Sequence, residues 1–183
     1  MKDIADIIKG LALGADVQDA IGSMINTSGR RCFVVSTDYA SAIYKGLQVG
    51  ELEVNWSEYD AILLPFRSQG HWRLAVSDLT TFRLYYLDSD LTDRNWHPRI
   101  HIRVWLIKVV PGNWRASVWV PPQQMQRTPD CAVAVTLLCY RLRGAKVFHR
   151  QAGSRRREAV LQRYSQSLIR SSCTTPGPGW QHP

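Results

Sequence analysis

Three side chains of this sequence, Cys131, His71 and Asp88, are of the types that together activate a thiol. Cys131 follows Asp130 and opens the apolar run 132–138, which predicts that the sulfur lies in the first turn of a buried helix, with Asp130 as the cap. The unpaired N–H groups and the dipole at such a terminus stabilise a thiolate. A thiolate nucleophile also needs a base and a group that orients the base, and the fold brings these together.

The chain between His71 and Asp88 is predicted to fold as a β-hairpin. Apolar residues alternate at positions 72, 74 and 76 of the first strand, 71–78, and residues 82–87 return as the second strand. Antiparallel pairing places the start of one strand near the end of the other. The sequence therefore predicts that His71 and Asp88 lie side by side at one end of this hairpin.

A glutamine-rich turn precedes Cys131. It contains Gln123, Gln124 and Gln126, and a carboxamide N–H group there could donate to an oxyanion that forms next to the sulfur. A single cysteine at a helix edge, or a single histidine at a strand end, is more often a plain structural residue. The three side chains together with the glutamines favour catalysis over that interpretation.

The remaining cysteines, Cys32, Cys139 and Cys173, are scattered along the chain. No pair has the spacing of zinc ligands, so the sequence predicts neither a metal site nor a disulfide framework, and no cofactor is expected. Cys139 follows Cys131 by eight residues on a similar face of the predicted helix. We expect it to be a buried thiol of the core.

Periodicity predicts the elements that hold these side chains. We expect helices at 3–12, 16–25, 38–46, about 95–109, 130–143 and 155–170, and further strands at 31–36, 60–66 and 116–120. In the helix 16–25, the predicted inward residues are Val17, Ile21 and Met24, with Asp16 or Asp19 as the cap. In the helix that ends near Val109, capped by Asp93 or Asn95, they are His97, Ile100, Val104 and Leu106.

The length of 183 residues fits one domain, predicted at 1–170, with a flexible tail at 171–183. An apolar fraction of 45% indicates a folded globule. The sequence contains no run long enough to span a membrane and no signal-peptide pattern. We therefore expect an intracellular protein of the cytoplasm, the nucleus or both, in a host cell if it is an exported effector.

The net charge of +8 is concentrated in the C-terminal part of the chain. From Cys131 onward there are nine Arg and Lys residues and a single acidic residue, Glu158. Such a field attracts acidic partners, which include acidic proteins and nucleic acid, although a merely solubilising surface would look the same. The cluster Arg155–Arg157 is too short to favour nucleic acid.

At these residues the sequence resembles the ubiquitin-like-protein-specific cysteine proteases, the SUMO-protease or Ulp family of clan CE. The matching segments occur in the family's order and cover roughly residues 13–145; they are His71-Trp72, Asp88-Ser89, Pro122-Gln123-Gln124 and Asp130-Cys131-Ala132. The resemblance implies an α+β, papain-like cysteine peptidase fold of the Ulp/adenain type. Such a fold has a central mixed β-sheet flanked by helices and the nucleophile at the N-terminus of a central helix.

The resemblance also implies roles. Cys131 would be the nucleophile, His71 the base and Asp88 the group that orients the base. Gln124 would be the oxyanion donor by the Pro-Gln-Gln match, with Gln123 and Gln126 as competitors. Trp72 would wall a narrow tunnel that admits the Gly-Gly tail of a ubiquitin-like modifier.

The expected activity is cleavage after that Gly-Gly, with SUMO as the favoured modifier because SUMO is acidic. Deubiquitinase or deneddylase activity on the same scaffold, acetyl transfer, and a module that only binds a modifier are the alternatives; Asp88 favours hydrolysis over acetyl transfer, where the acid is usually glutamate. The chain departs from the family pattern at Ala132, where most members have glycine, and in a longer glutamine-to-cysteine turn. It also lacks the tryptophan that members of the family have in the N-terminal region, where that side chain roofs the substrate tunnel.

Overall fold

The computed structural model describes residues 14–29, 31–88, 100–115 and 118–120, together with Cys131, Val135, Thr136, Cys139 and Leu142 of a later helix. In chain order the described elements are α1 (Ala15–Asn26), β1 (Cys32–Val34), α2 (Thr37–Lys45), a 3₁₀ turn (Trp56–Glu58), β2 (Ala61–Ser68), β3 (His71–Asp78), β4 (Arg83–Asp88), α3 (His101–Val109) and β5 (Val118–Val120). The five described residues from Cys131 onward are helical and are called the Cys131 helix below. The predicted helices 3–12 and 155–170 and the tail lie outside the described residues.

The strands form one mixed sheet in the order β1-β2-β3-β4-β5. The central pairs β2–β3 and β3–β4 are antiparallel, whereas β1 and β5 add to the two sides as parallel strands. Every residue of β2 except Arg67 is buried, as its continuous apolar sequence predicts for a strand covered on both faces. The predicted α+β fold with a central mixed sheet is therefore confirmed.

Helices cover both faces of the sheet, and each face has its own apolar core. Trp72, Leu74 and Val76 of β3 point to one core, where they meet α1 and the Cys131 helix. Ala75 points to the other core, where α2 and α3 pack. The alternation predicted for β3 is thus confirmed, and it places the Cys131 helix on the same side as Trp72.

The β2–β3 turn brings the chain directly to His71. Its two residues, Gln69 and Gly70, have φ values of 53° and 79°, the pattern of the tight type I′ turn that matches the twist of antiparallel strands. At the other end of β3, the carboxylate of Asp78 accepts hydrogen bonds from the backbone N–H and hydroxyl groups of Thr80 and Thr81. These two turns hold the register of the strands that carry the candidate site.

The inward face predicted for α1 is wrong in part. Ile21 is buried as predicted, but Val17 and Met24 are exposed, and Gln18, Gly22 and Ile25 are buried instead. The reason is the close approach of Gly22 to β1, where an added Cβ would lie 3.1 Å from Val34 Cγ1. Because α1 packs against β1 through Gly22, the side chains of Val17 and Met24 lie away from the core.

The caps predicted for α1 are also wrong. Gly14 occupies the N-cap position and makes no side-chain capping bond. The carboxylate of Asp19 instead accepts hydrogen bonds from the backbone N–H and the hydroxyl of Thr37 at the start of α2. Asp19 therefore joins two helices rather than capping its own.

The face predicted for α3 needs a similar correction. Leu106 is buried as predicted, whereas Ile100 and Val104 are exposed and Ile102 and Trp105 take the inward positions. Trp105 makes edge-to-face contacts with Tyr39 and Trp56, and this large ring sets which face of the helix is inward. His97, Asp93 and Asn95 lie outside the described residues. Within the described part of the chain, no helix has the length and apolarity to span a membrane.

Candidate active site

The strand register places Asp88 near His71. Asp88 lies directly opposite Arg73 in the β3–β4 pairing, so His71, two residues before Arg73, is its diagonal neighbour on the same face. His71 Nε2 lies 2.6 Å from Asp88 Oδ1. The structure therefore brings together the two residues that the hairpin pattern predicted to meet.

Both side chains are shielded from water, with exposed fractions of 18% for His71 and 2% for Asp88. A hydrogen bond between a histidine and a carboxylate is stronger in such surroundings than in water. It also orients the imidazole ring, because Asp88 occupies one of its two nitrogens. Nδ1 is then the nitrogen available to a third group.

Cys131 is the other side chain that acts on His71, since its hydrogen bonding and its negative charge both raise the pKa of the histidine. Cys131 is helical and partly buried, and it packs against the core that contains Trp72. Val135, Cys139 and Leu142 of the same helix are buried in this core and hold the helix against the sheet. The Cys131 helix thus delivers a thiol to the histidine from one face of the sheet.

The pKa of His71 is raised from its ordinary value of 6.5 to about 9. Burial of the ring is the largest influence, and it lowers the pKa because it penalises the charged imidazolium. The hydrogen bonds and the negative charges of Asp88 and Cys131 together outweigh it. The surroundings therefore favour a protonated His71, the form that pairs with a thiolate.

The other described cysteines have different surroundings. Cys32 and Cys139 are buried in the same core, and burial raises the pKa of both thiols, that of Cys139 to about 12. A thiol in such a place stays protonated and unreactive near neutral pH. The prediction that Cys139 is a buried core thiol is confirmed, and Cys131 differs from both by its contact with a histidine.

Arg73 is a part of the site that sequence reasoning missed. Its Nε donates to Asp88 Oδ2 at 2.5 Å, and its Nη1 donates to the carbonyl oxygen of Ser68 at 2.9 Å. The available signal was a charged residue two positions after His71, between the apolar residues Trp72 and Leu74, because side chains two apart share one face.

Trp72 is 8% exposed and belongs to the core that Cys131 contacts. It therefore lies close enough to the Cys131 helix to influence the position of that helix. Gln123, Gln124 and Gln126, like Asp130 and Ala132, lie outside the described residues, and their predicted roles stay predictions.

A groove of about 570 Å³ lies on the other side of the molecule, between the segment after α2 and α3. Its lining includes His101, Lys108 and Glu51, and the described residues that line it contain no cysteine or serine. Among the described residues, no group of three or more His, Cys, Asp or Glu side chains is placed to hold a metal ion.

No family model matches this sequence, and no curated protein does. Solved structures do match. The C-terminal Ulp1 protease domain in complex with Smt3, the yeast ortholog of SUMO, has a TM-score of 0.58 and 14% identity, covering 89% of this chain and 78% of that chain. A de-sumoylating protease has a TM-score of 0.58 and 11% identity, covering 94% and 81%. ChlaDub1 from Chlamydia trachomatis has a TM-score of 0.50 and 13% identity, covering 94% and 96%.

At these identities the likeness is one of fold. The predicted fold type is confirmed: this chain has the α+β fold of the Ulp1-type cysteine proteases.

Proposed function

We propose that this protein is a cysteine peptidase that cleaves after the C-terminal Gly-Gly of a ubiquitin-like modifier, with SUMO as the favoured modifier. The observation that carries the proposal is the placement of His71 between Asp88 and Cys131. A histidine that is hydrogen-bonded to a thiol on one side and to a carboxylate on the other is the arrangement that nucleophilic catalysis by cysteine requires.

In the proposed reaction, the Cys131 thiol gives its proton to His71, and the thiolate attacks the carbonyl carbon of the terminal glycine. The C–N bond then breaks as His71 returns the proton to the leaving amine. Water, deprotonated by His71, attacks the resulting thioester, and the proton passes back to the sulfur as the acid is released. Asp88 keeps the imidazole in one orientation through both halves of the cycle.

The negative charge that develops on the carbonyl oxygen needs donors. The Cys131 backbone N–H and the carboxamide of Gln124 are the proposed pair, with Gln123 and Gln126 as the alternative side chains. Loss of one such donor in comparable sites costs about 3 kcal/mol of transition-state stabilisation. Trp72 is proposed to wall the passage through which the unbranched Gly-Gly tail reaches the sulfur.

The choice of modifier rests on charge and on fold. The net charge of +8, with nine basic residues from Cys131 onward, favours an acidic partner through attraction at long range. The likeness in fold to a Ulp1 domain solved with Smt3 supports the same choice. Ubiquitin and Nedd are the alternatives that the experiment must separate from SUMO.

The test uses SUMO, ubiquitin and Nedd that carry an electrophile in place of the terminal carboxylate. Wild-type protein is expected to form a covalent adduct with SUMO, detected as a mass shift on denaturing gels. Cys131→Ala should form none, whereas Cys139→Ala, which removes a buried thiol of the same helix, should react like the wild type. An adduct with only ubiquitin, or with only Nedd, would identify that modifier instead of SUMO as the substrate. No adduct with any modifier, or one that persists in Cys131→Ala, would overturn the proposal.

A further inference from the structure

Arg73 lies almost wholly inside the protein at the candidate site. The exposed fraction of its side chain is 2%, equal to that of Asp88, to which it is bonded. Taking a guanidinium and a carboxylate out of water is costly, and hydrophobic side chains of similar volume are often at least as stabilising in such positions. Stability alone is therefore a weak reason for a buried arginine here.

Its contacts divide the carboxylate of Asp88 between two partners. Oδ1 lies 2.6 Å from His71 Nε2, and Oδ2 accepts a hydrogen bond of 2.5 Å from Arg73 Nε. With a separate donor on each oxygen, the carboxylate has little freedom to rotate about its Cβ–Cγ bond. The direction of the oxygen that faces His71 is consequently set by Arg73.

Arg73 is itself held from a second side. Its Nη1 donates to the carbonyl oxygen of Ser68, the residue paired with His71 across the β2–β3 turn. The Ser68 hydroxyl in turn donates to the phenol oxygen of Tyr44 in α2 at 3.2 Å. The guanidinium thus connects Asp88 at the end of β4 with the backbone beside His71, and α2 supports this connection from the core.

Charge gives Arg73 a second effect. A cation within a few ångströms stabilises a carboxylate and disfavours the protonated forms of neighbouring groups. Without Arg73, Asp88 would be a buried anion with one partner fewer. Both the hydrogen bond and the charge of Arg73 therefore act on the carboxylate of Asp88.

We propose that Arg73 is a positioning residue of this site, which fixes the orientation of the Asp88 carboxylate for its contact with His71. The inference rests on the proposed function for its effect on turnover. It also has a consequence that needs no substrate, since the same contacts hold the histidine that acts on Cys131, and the reactivity of this thiol can be measured by alkylation.

The test compares Arg73→Met, which removes the charge, with Arg73→Lys, which keeps the charge but lacks the planar fork that bonds two acceptors. The control is Arg31→Met. Arg31 forms another Arg–Asp pair, with Asp60. That pair is more exposed, and Asp60 directly precedes the first residue of β2, whereas Ser68 is its last residue. Two quantities are measured between pH 5 and pH 10: kcat and KM with a SUMO fusion, and the rate at which iodoacetamide alkylates Cys131, assigned by peptide mass spectrometry.

In Arg73→Met we expect kcat to fall by about tenfold to a hundredfold with little change in KM, since the reacting groups are misplaced while substrate binding is kept. Alkylation of Cys131 near neutral pH should also slow severalfold, because a His71 whose carboxylate partner is misplaced supports the thiolate less well. Arg73→Lys should lower kcat but keep an alkylation rate closer to that of the wild type. Arg31→Met should change neither quantity.

The double variant Arg73→Met/Asp88→Asn separates positioning from a general structural effect. If Arg73 acts through Asp88, its removal should cost much less activity when Asp88 is already asparagine. Additive losses, or an alkylation profile in Arg73→Met equal to the wild-type profile, would overturn the inference. Wild-type protein that turns over no modifier would overturn the proposed function instead, while the alkylation profiles would still decide the role of Arg73.

Discussion

His71 and Asp88 are diagonal neighbours on adjacent antiparallel strands, and their side chains meet at 2.6 Å. This contact depends on the strand register, because side chains point to alternate faces along a strand. A slip of one residue between β3 and β4 would turn Asp88 to the opposite face and away from the histidine. The turns at both ends of β3 therefore matter to the site as much as the two side chains do.

Asp88→Asn is expected to lower kcat by about a hundredfold or more, with a smaller effect than loss of His71. The amide cannot offer the negative charge that stabilises the imidazolium, and it lets the ring adopt the wrong tautomer. The measurement is steady-state cleavage of a SUMO fusion. Asp60→Asn, which changes the carboxylate of the more exposed pair with Arg31, serves as the control. A kcat of Asp88→Asn equal to that of the control would show that Asp88 does not orient the base.

The raised pKa of His71 makes a prediction about stability. Because the pKa is about 9 in the folded protein and 6.5 ordinarily, the protonated ring favours the folded state. This contribution is fully present below about pH 6.5 and is lost as the pH rises through about 9. We expect it to be about 3 kcal/mol.

The measurement is urea denaturation at pH 6 and pH 10 of the wild type and of His71→Gln. The wild type should lose more free energy of unfolding between these two pH values than the variant does, since only the wild type carries this histidine. Equal losses in the two proteins would mean that His71 is not stabilised in its protonated form.

The cysteines should differ in reactivity. At pH 7.5, iodoacetamide should alkylate Cys131 in the native protein much faster than Cys32 or Cys139, which are buried thiols with raised pKa values. Peptide mass spectrometry over a time course measures each site separately. Denaturation in urea is the control, since it should make the rates similar. Native rates at Cys139 as high as at Cys131 would contradict the assignment of the nucleophile.

The hairpin and its His–Asp pair could be predicted from the sequence because they depend on local regularities. A strand has a period of two, and the short connection at Leu79, Thr80 and Thr81 limits how the two strands of the hairpin can be joined. The same reasoning places Trp72 on the face opposite to His71. Such reasoning predicts on which face of its own strand each side chain lies.

The rest depends on packing between elements that are distant in sequence. The rotation of α1 follows from the contact of Gly22 with Val34, which no periodicity in α1 reveals. Arg73 was missed because a charged residue in a strand normally indicates an exposed face, whereas this sheet is covered on both sides. A buried charge becomes understandable only when its partner, here Asp88 on another strand, is known.

Trp72 and Trp105 allow the role of the candidate tunnel residue to be separated from simple core packing. Both side chains belong to residues that are 8% exposed, but they lie in the two different cores on opposite faces of the sheet. Replacement by phenylalanine removes part of a buried ring in each case and should cost about 1 to 2 kcal/mol of stability. Chemical denaturation of both variants tests this equality.

Only Trp72→Phe should also lower kcat/KM for cleavage of a SUMO fusion, because Trp72 adjoins His71 in sequence and shares a core with Cys131. Trp105 packs with Tyr39 and Trp56 in the core on the other face of the sheet, whereas Cys131 packs against the core that contains Trp72. If both variants lose stability equally and both keep the wild-type kcat/KM, then Trp72 is a core residue alone and the wall of the tunnel must be sought elsewhere.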